Sequence, residues 1–353
     1  MARDALRTHT VHSKAYRPTE KCCIIYAGLS SGNLMCALKI EDKTLDNVMM
    51  SVLTDLLAPG TNRVRSGQGP NAERRGVLIE LADPKARVSF ALAKGVFISA
   101  LAEFLWYMTG QSSPDFMKYY LPKYPPKALA SGYGPRLFDQ RGISQVDQII
   151  SKLKKGESDT RRGVVQIYNA EDFNADDYQP PCTLNFQFIP REGALHMATT
   201  MRSNDAWLGL PHDVFAFTML QEYIASRVGL ELGSYQHFVT CMHLYEKDME
   251  GARAYVAERF QDVRSMPSMP KAGSDDAVRT VLHCEEQLRI EGKMPSVYET
   301  LDPYWRDLVT LLDLHNLKHR RRFEVFDNVA ARISNDFFGP VVAKIRPKMK
   351  EKS

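Results

Sequence analysis

The sequence predicts an α+β domain in which helices cover one face of a sheet. Several short segments alternate apolar and polar residues, as strands with one buried face do. Longer apolar or amphipathic segments with the helical period lie between them. Because the two kinds of segment are mixed along the chain, a sheet packed against helices is favoured over an all-helical or all-β fold.

The first half of the chain is predicted to begin with a peripheral lead-in, residues 1–45. The elements predicted in this half are a strand at 22–29, a helix at 45–58, a loop at 61–76, strands at 77–81 and 87–92, a helix at 95–109 and an irregular segment at 112–135. Pro59 with Gly60 ends the first helix, and Gly110 ends the second, the most apolar one.

The second half contains the clearest hairpin signal. Its predicted elements are a helix at 144–155, a strand from 161 to 173, two strands at 183–190 and 194–202, a helix at 211–228 and a strand at 234–245. The two central strands are joined at "REG", which favours a tight turn. Beyond about residue 250 the chain becomes highly charged, with a Met/Pro/Ser/Gly-rich loop near 265–276.

Composition indicates a globular, soluble protein. The 353 residues are 44% hydrophobic and 25% charged, enough for one large domain with appendages or two ordinary domains. A net charge of +4 does not by itself indicate nucleic-acid binding. Six cysteines without CxxC spacing are typical of reduced thiols in a cytoplasmic protein, and neither a signal peptide nor a membrane span is predicted.

Cys182 follows Pro180 and Pro181 and precedes an alternating strand. The two prolines fix the backbone before the thiol, as a positioned nucleophile would require. Nearby positive charge would favour the thiolate. The alternative is a small buried residue at the start of a strand, since free cysteine is among the most buried residue types.

Arginines occur at three separated places, and a planar guanidinium suits a phosphate dianion. They are Arg65, the pair Arg161 and Arg162, and Arg202, which Ser203 follows with a further donor. The alternative for each arginine is solvated surface charge.

Two carboxylates and an aromatic pair complete the candidates. Glu103 lies in the most apolar helix, where burial would raise its pKa and allow proton relay, unless it occupies that helix's polar stripe. Asp213 follows a helix start, where an acid also suits the helix dipole. His243 and Tyr245 alternate on a strand and so share a face, although both could simply be core residues.

Together these segments resemble the thymidylate synthase family, over roughly residues 46–270. The matching motifs are "RSGQG", "AEFLWYMTG", "SGYGPRLFDQRG", "DTRRGVVQIYNAEDF", "QPPCTLNFQF", "MRSNDAWLGLP", "HLY" and, more weakly, "RSMPSMP". The resemblance implies a large twisted mixed sheet covered by helices, and a homodimer formed through the sheet. It also implies a catalytic domain at 46–272, followed by a charged, mainly helical extension at 273–353.

The resemblance implies a role for each candidate. Cys182 would add to C6 of a pyrimidine nucleoside monophosphate, and Glu103 would order water and relay protons. Arg65, Arg202 and Ser203 would hold the phosphate, to which Arg161 and Arg162 would reach from the neighbouring subunit. His243 and Tyr245 would bind the sugar, and Tyr133 would lie near the thiol. Asp205 and Gly209 would lie near the co-substrate, methylenetetrahydrofolate. No metal ion, membrane or nucleic-acid partner is expected.

One departure bears on the base. Thymidylate synthases usually have Phe-Asn where this chain has His212 and Asp213, and that Asn accepts from uracil N3–H. A carboxyl with one proton can accept from the amino group of cytosine and bridge to its N3. Asp213 therefore resembles the cytidylate hydroxymethylases of the family, and His212 would tune the shared proton.

Other departures concern the product. Thr183 stands where the synthases usually have His, and Tyr119, Tyr120 and Tyr124 replace nearby tryptophans. The chain also lacks the apolar C-terminus that closes over the ligands. The predicted function is CMP or dCMP 5-hydroxymethylation. The alternatives are a thymidylate synthase or other C5 methylase, and an inactive paralogue that acts as a binding protein.

Overall fold

The computed structural model describes residues 37–122, 132–156, 159–174, 176, 179–259 and 263–346. The strands are β1 Leu38–Asp42, β2 Asn62–Ser66, β3 Gly69–Leu81, β4 Val164–Gln166, β5 Thr183–Arg191, β6 Ala194–Asp205 and β7 Glu231–Tyr245. The helices are α1 Leu45–Leu57, α2 Phe97–Met108, α3 Pro114–Tyr120, α4 Tyr133–Phe138, α5 Gln145–Lys154, α6 Gly209–Val228, α7 Met249–Ala257, α8 Ser274–Glu291, α9 Pro303–His319, α10 Phe326–Ala330 and α11 Gly339–Ile345. The strand predicted at 22–29 lies outside the described residues, as does Tyr124.

The strands form one seven-stranded mixed sheet, which confirms the predicted fold class. Its order is β1-β3-β7-β6-β5-β4, and β2 pairs with β3 as a side branch. The β1–β3 and β6–β7 pairs are parallel, whereas the other pairs are antiparallel. The parallel β6–β7 pair requires a crossover, and α6 supplies it.

The hairpin predicted at "REG" is present between β5 and β6. Arg191 pairs with Ala194, so Glu192 and Gly193 form a two-residue loop. Both loop residues have left-handed φ angles, 51° and 78°, as a type I′ turn requires. This turn sets the register of the strands that carry Cys182 and Arg202.

Helix α6 is buried on all sides and forms the centre of the core. It packs against α2 on one side and against the sheet on the other. The ring of Phe215 contacts that of Phe97 on α2 at 5.4 Å, and Phe217 contacts Phe186 on β5 at 4.6 Å. A helix that is apolar all round is stable only when enclosed in this way. The helix ends at Gly229, whose φ is 77°.

The strand predicted at 87–92 is wrong, because side chains from two other segments hold this segment's backbone. Asp46 on α1 accepts from the Phe90 backbone at 2.8 Å and from the Ser89 hydroxyl at 2.5 Å. Glu258, just after α7, accepts from the Leu92 backbone at 2.6 Å. With its donors engaged in this way, the segment does not join the sheet.

The loop predicted at 61–76 is also wrong, since β2 and the first part of β3, Gly69 to Glu73, form an antiparallel hairpin there. Residues in β2 are mostly exposed on both faces, so its sequence lacks the apolar alternation that marks a half-buried strand. The irregular segment after Gly110 contains the helix α3, which Pro114 begins.

The C-terminal helices α8 to α11 belong to the same hydrophobic core as the sheet and α6. Trp305 on α9 is fully buried, and the neighbouring Tyr304 hydroxyl lies 3.8 Å from the Met219 sulfur on α6. Tyr120 on α3 donates to Glu285 on α8 at 2.8 Å. Among the helices described here, each is too short or too polar to cross a membrane.

Candidate active site

A cavity of about 930 Å³ opens where α2 and the start of α6 meet the ends of β5, β6 and β7. Most of the predicted site residues line it: Glu103, Tyr133, Cys182, Arg202, Ser203, Asp205, Gly209, Asp213, His243 and Tyr245. Its volume lies at the upper end of the range for small-molecule sites, which suits two ligands better than one.

Three predicted phosphate ligands do not line the cavity of their own chain. Arg65 is exposed on β2, although its neighbours Val64 and Ser66 line the cavity. Arg161 and Arg162 are exposed before β4. The structure therefore brings only Arg202, of the four predicted arginines, into the cavity wall.

Cys182 lies directly before β5, and the neighbouring Arg202 on β6 holds its lead-in. The Arg202 guanidinium donates from Nε to the Pro181 carbonyl at 2.9 Å and from an Nη to the Pro180 carbonyl at 2.8 Å. The Arg202 backbone amide donates to the Cys182 carbonyl at 2.9 Å, which continues the β5–β6 ladder to the thiol. Arg202 thus holds both the two prolines before Cys182 and the start of the neighbouring strand, which together position the sulfur. Its remaining N–H groups can donate to a ligand.

Burial raises the pKa of the Cys182 thiol above its ordinary value, and the charges of Asp213 and Asp205 add to this effect. The guanidinium of Arg202 opposes it, as expected from the sequence, but does not outweigh burial. The thiol of the free protein is therefore protonated at neutral pH, and a base in the cavity must help to remove its proton.

Asp213 lies one turn into α6 and is 8% exposed. Its Oδ2 accepts a hydrogen bond of 2.7 Å from the side-chain amide of Asn204 on β6. Burial raises the pKa of Asp213 well above its ordinary value, and the nearby Glu103 raises it further, while the Asn204 bond lowers it. The structure therefore places a carboxyl that readily holds a proton in the cavity wall.

Glu103 projects from α2 into the cavity and accepts a 2.5 Å hydrogen bond from the Tyr107 hydroxyl. Burial raises the pKa of Glu103 to about 7, although the bond from Tyr107 lowers it. A carboxyl with a pKa near 7 can both give and take a proton at neutral pH. Tyr107 stacks on Tyr133 at 5.2 Å, and the Tyr133 hydroxyl accepts from the Thr183 backbone at 3.4 Å, next to Cys182.

The predicted sugar ligands lie together on β7, beside Ser203. The Ser203 hydroxyl is 3.2 Å from His243 Nδ1, and the rings of His243 and Tyr245 meet edge to face at 5.0 Å. These three side chains present hydroxyl and imidazole groups to one part of the cavity. They can donate to phosphate or sugar oxygens there.

Asp205 and Gly209 shape the start of α6. Asp205 Oδ1 accepts from the backbone N–H groups of the two residues that precede this helix, at 2.8 and 3.0 Å. A side chain at Gly209 would place its Cβ 2.7 Å from Asn204 Nδ2 and 3.3 Å from Asp213 Oδ2. The absence of a side chain at this glycine is therefore what lets the Asn204–Asp213 pair form.

His212 does not contact Asp213 through a hydrogen bond in the described structure. Its Nδ1 lies 2.7 Å from the Leu208 carbonyl and its Nε2 lies 2.8 Å from the Ser99 hydroxyl. Burial lowers the pKa of His212 to about 4, so the ring is neutral. The predicted tuning of the Asp213 proton would have to act without a direct bond.

Two residues with evident roles in the site were missed from the sequence, namely Asn204 and Tyr107. Tyr107 follows Glu103 by four positions, so the helical period could have predicted their contact. Asn204 lies in the strand that carries the other ligands, but its burial on the opposite face was not evident from the alternation. His237, which binds Asn204 at 3.0 Å, gave no signal at all.

The comparisons with known proteins cover the part of the chain that carries most of this site. Residues 89–276 match the family model described as thymidylate synthase. A thymidylate synthase of Symbiobacterium thermophilum is 28% identical over 44% of this chain and 62% of its own length. A deoxyuridylate hydroxymethyltransferase of Bacillus phage SP01 is 29% identical over 73% of this chain and 68% of its own length. A thymidylate synthase of Bacillus phage phi3T is 33% identical over 34% of this chain and 42% of its own length. The chain thus spans less than two thirds of the length of these two thymidylate synthases.

Proposed function

The chain belongs to the thymidylate synthase family, and on that premise we propose that it is a CMP or dCMP 5-hydroxymethylase. Enzymes of this family use methylenetetrahydrofolate as co-substrate. In the proposed reaction C5 of the cytosine ring would bond to the one-carbon unit and lose its hydrogen as a proton, tetrahydrofolate would leave, and water would add to the exocyclic methylene as Cys182 is released. The observation that carries the proposal is Asp213, a buried carboxyl with a raised pKa in the same cavity as Cys182.

Base recognition follows from the hydrogen-bonding pattern of cytosine. Its N4 amino group donates and its N3 accepts. A singly protonated Asp213 can accept from N4 with one oxygen and donate to N3 with the other. Burial favours this protonated form. An amide held in the orientation that reads uracil would set its own donor against the N4 donor, and a mispaired buried group costs about 1–3 kcal/mol.

The chemistry begins at Cys182. Its sulfur adds to C6, and the electron pair released by this addition makes C5 nucleophilic. The thiol proton must leave first, because the thiolate is the form that attacks. Glu103, with a pKa of about 7, is the carboxyl in the cavity suited to moving protons to and from the ring through water.

Completion by water rather than by hydride distinguishes hydroxymethylation from methylation. The relative named deoxyuridylate hydroxymethyltransferase supports the hydroxymethyl product, because it matches 73% of this chain. The chain itself supports the hydroxymethyl product through the cavity wall that follows α2. Met117, Leu121 and Pro122 line this wall, and residues 111–122 contain no tryptophan. The polar groups of Glu103 and Tyr107, which line the same cavity, can bind a water molecule there.

A homodimer is proposed to complete the phosphate site. The sheet face that carries Gln236, Phe238 and Thr240 is exposed, and Phe238 is 39% exposed. Gln187 lies in the neighbouring part of the sheet and donates to the Arg161 carbonyl at 3.0 Å. If a second copy packs on this face, each subunit would offer Arg161 and Arg162 to its partner's cavity.

A uracil nucleotide is the second candidate substrate, because the names of the relatives include thymidylate synthases and a deoxyuridylate hydroxymethyltransferase. Release of tritium from C5 of labelled CMP, dCMP and dUMP, with and without methylenetetrahydrofolate, separates the candidates. We expect release from a cytosine nucleotide, and mass spectrometry of the product should show a hydroxymethyl group. Release from dUMP alone would overturn the proposal, and a methyl product would identify a C5 methylase.

A further inference from the structure

A chain of buried polar side chains runs from the middle of the sheet to Asp213. The Tyr235 hydroxyl lies 3.1 Å from Thr199 Oγ1 and 2.7 Å from His237 Nδ1. His237 Nε2 lies 3.0 Å from Asn204 Oδ1, and Asn204 Nδ2 donates to Asp213 Oδ2 at 2.7 Å. The first four of these side chains are at most 3% exposed.

The neutral state of His237 and the two contacts of the Asn204 amide together give the hydrogen bonds along this chain a direction. Burial lowers the pKa of His237 to about 3, so the ring is neutral and carries one proton. The Asn204 carbonyl requires that proton on Nε2, and Nδ1 is then an acceptor 2.7 Å from the Tyr235 hydroxyl, whose single proton is shared between this ring nitrogen and Thr199 Oγ1. Since a buried polar group without a partner is costly, the Asn204 amide cannot turn over without breaking bonds at both of its ends.

The fixed amide constrains the Asp213 carboxyl. A protonated carboxyl by itself does not discriminate between the bases, because exchanging its O–H and C=O lets it pair with N3 and N4 of cytosine or with N3–H and O4 of uracil. The N–H of Asn204 requires Oδ2 to be an acceptor, and a proton on the carboxyl then lies on Oδ1. This bond removes one of the two arrangements.

We propose that Asn204, oriented by His237 and Tyr235, is a positioning residue that selects the base by fixing which oxygen of Asp213 accepts. The inference rests on the proposed function, in which Asp213 reads the base. It does not depend on which base is preferred, because loss of the constraint allows both arrangements. In either case the preference of the enzyme should weaken.

The test compares C5 tritium release from cytosine and uracil monophosphates in three variants. Asn204→Ala should reduce the ratio of the two kcat/KM values about tenfold, as expected for one mispaired buried group. Tyr235→Phe keeps the ring and Asn204 but frees Nδ1 of His237, and should reduce the ratio less. Asn328→Ala, exposed on α10 and outside the cavity, makes the same change of side chain and should leave the ratio unchanged.

A second readout is the pH dependence with the preferred base. The Asn204 bond lowers the pKa of Asp213, so Asn204→Ala should move the loss of activity at high pH to still higher pH. Equal loss of rate with both bases, at an unchanged ratio and pH profile, would overturn the inference and leave Asn204 a structural residue. If Asn204→Ala does not fold, Tyr235→Phe decides by the same criteria. A wild-type preference for uracil would overturn the proposed function, while a collapsed ratio in the variants would still support the inference.

Discussion

The Tyr107 hydroxyl donates a 2.5 Å hydrogen bond to Glu103 Oε1, one helical turn away on α2. The bond connects the cavity's proton-carrying carboxyl to the aromatic stack of Tyr107 and Tyr133, which reaches the backbone beside Cys182. It also lowers the pKa of Glu103, which burial raises to about 7. The protonation of Glu103 near neutral pH is thus set by two opposing effects that can be changed separately.

Removing the Tyr107 hydroxyl should shift the pH dependence of turnover. In Tyr107→Phe the pKa of Glu103 should rise, and the limb of kcat/KM that titrates near pH 7 should move to higher pH. Profiles of tritium release against pH measure this shift. Tyr119→Phe, which removes a hydroxyl bonded to Asn316 outside the cavity, is the control. Persistence of the same limb in Glu103→Gln would show that another group titrates.

Asp213→Asn should shift the base preference towards uracil. If the amide adopts the orientation that reads uracil, with its N–H towards the substituent at C4, it places a donor against the N4 amino group of cytosine, and the cytosine-to-uracil ratio of kcat/KM should fall about 10- to 100-fold. The assay is tritium release from matched cytosine and uracil monophosphates. Asp147→Asn, an exposed position on α5, is the matched control. An unmoved preference would mean either that Asn204 holds the amide with its oxygen as the acceptor, as it holds Asp213, or that a different residue reads N4.

Cys182→Ala should abolish turnover while nucleotide binding remains measurable by calorimetry. The proposed phosphate ligands Arg202 and Ser203 do not depend on the sulfur, whereas addition at C6 does. Cys241→Ala changes a free, half-buried cysteine of the same sheet that does not line the cavity, and should retain activity. Turnover by Cys182→Ala would refute covalent catalysis at this residue.

Gly209→Ala should reduce activity strongly. The new Cβ would lie 2.7 Å from Asn204 Nδ2, closer than such atoms approach, so the Asn204–Asp213 pair would have to separate. Gly339→Ala at the start of α11 adds the same group where no atom outside its own helix lies within 4 Å, and it should leave both activity and melting temperature nearly unchanged. A fully active Gly209→Ala enzyme would show that the pair tolerates displacement.

Mixed dimers should test whether Arg161 acts across an interface. If it serves the partner's cavity, Arg161→Ala and Cys182→Ala subunits are each inactive, but a mixed dimer has one complete site. Random reassociation should then recover roughly a quarter of wild-type activity. The measurement is activity after co-refolding of equal amounts. Recovery of none, with dimers demonstrated by sedimentation, would show that Arg161 does not serve the partner's site.

The sequence predicted those elements whose residues show a regular period. The β5–β6 hairpin and helices α2, α5 and α6 lie where predicted, because alternation, helical period and glycine ends all agree there. The errors arose where contacts between residues far apart in the sequence determine the local backbone structure. Residues 87–92 alternate like a strand, yet Asp46 binds their backbone, and no local pattern indicates a partner 44 residues away.

The site was predicted through its motifs rather than through its geometry. Cys182, Glu103 and Asp213 line one cavity, and the roles that the family resemblance implies for them stay predictions. The Asn204–His237–Tyr235 chain was not foreseen, because its members look like ordinary strand residues and acquire a role only when β6 and β7 pair. Parallel pairing across α6 brings together Asn204 and His237, which the sequence keeps 33 positions apart.

The shared core of α6 and the C-terminal helices limits how the protein can be shortened. A chain cut near residue 276, where the family similarity ends, would expose the surface of α6 and α2 that Trp305 and Phe338 now cover. Such a fragment should aggregate on expression rather than behave as a minimal enzyme. Peptide tags and fusion partners are therefore better attached to the whole 353-residue chain than to the region of family similarity alone.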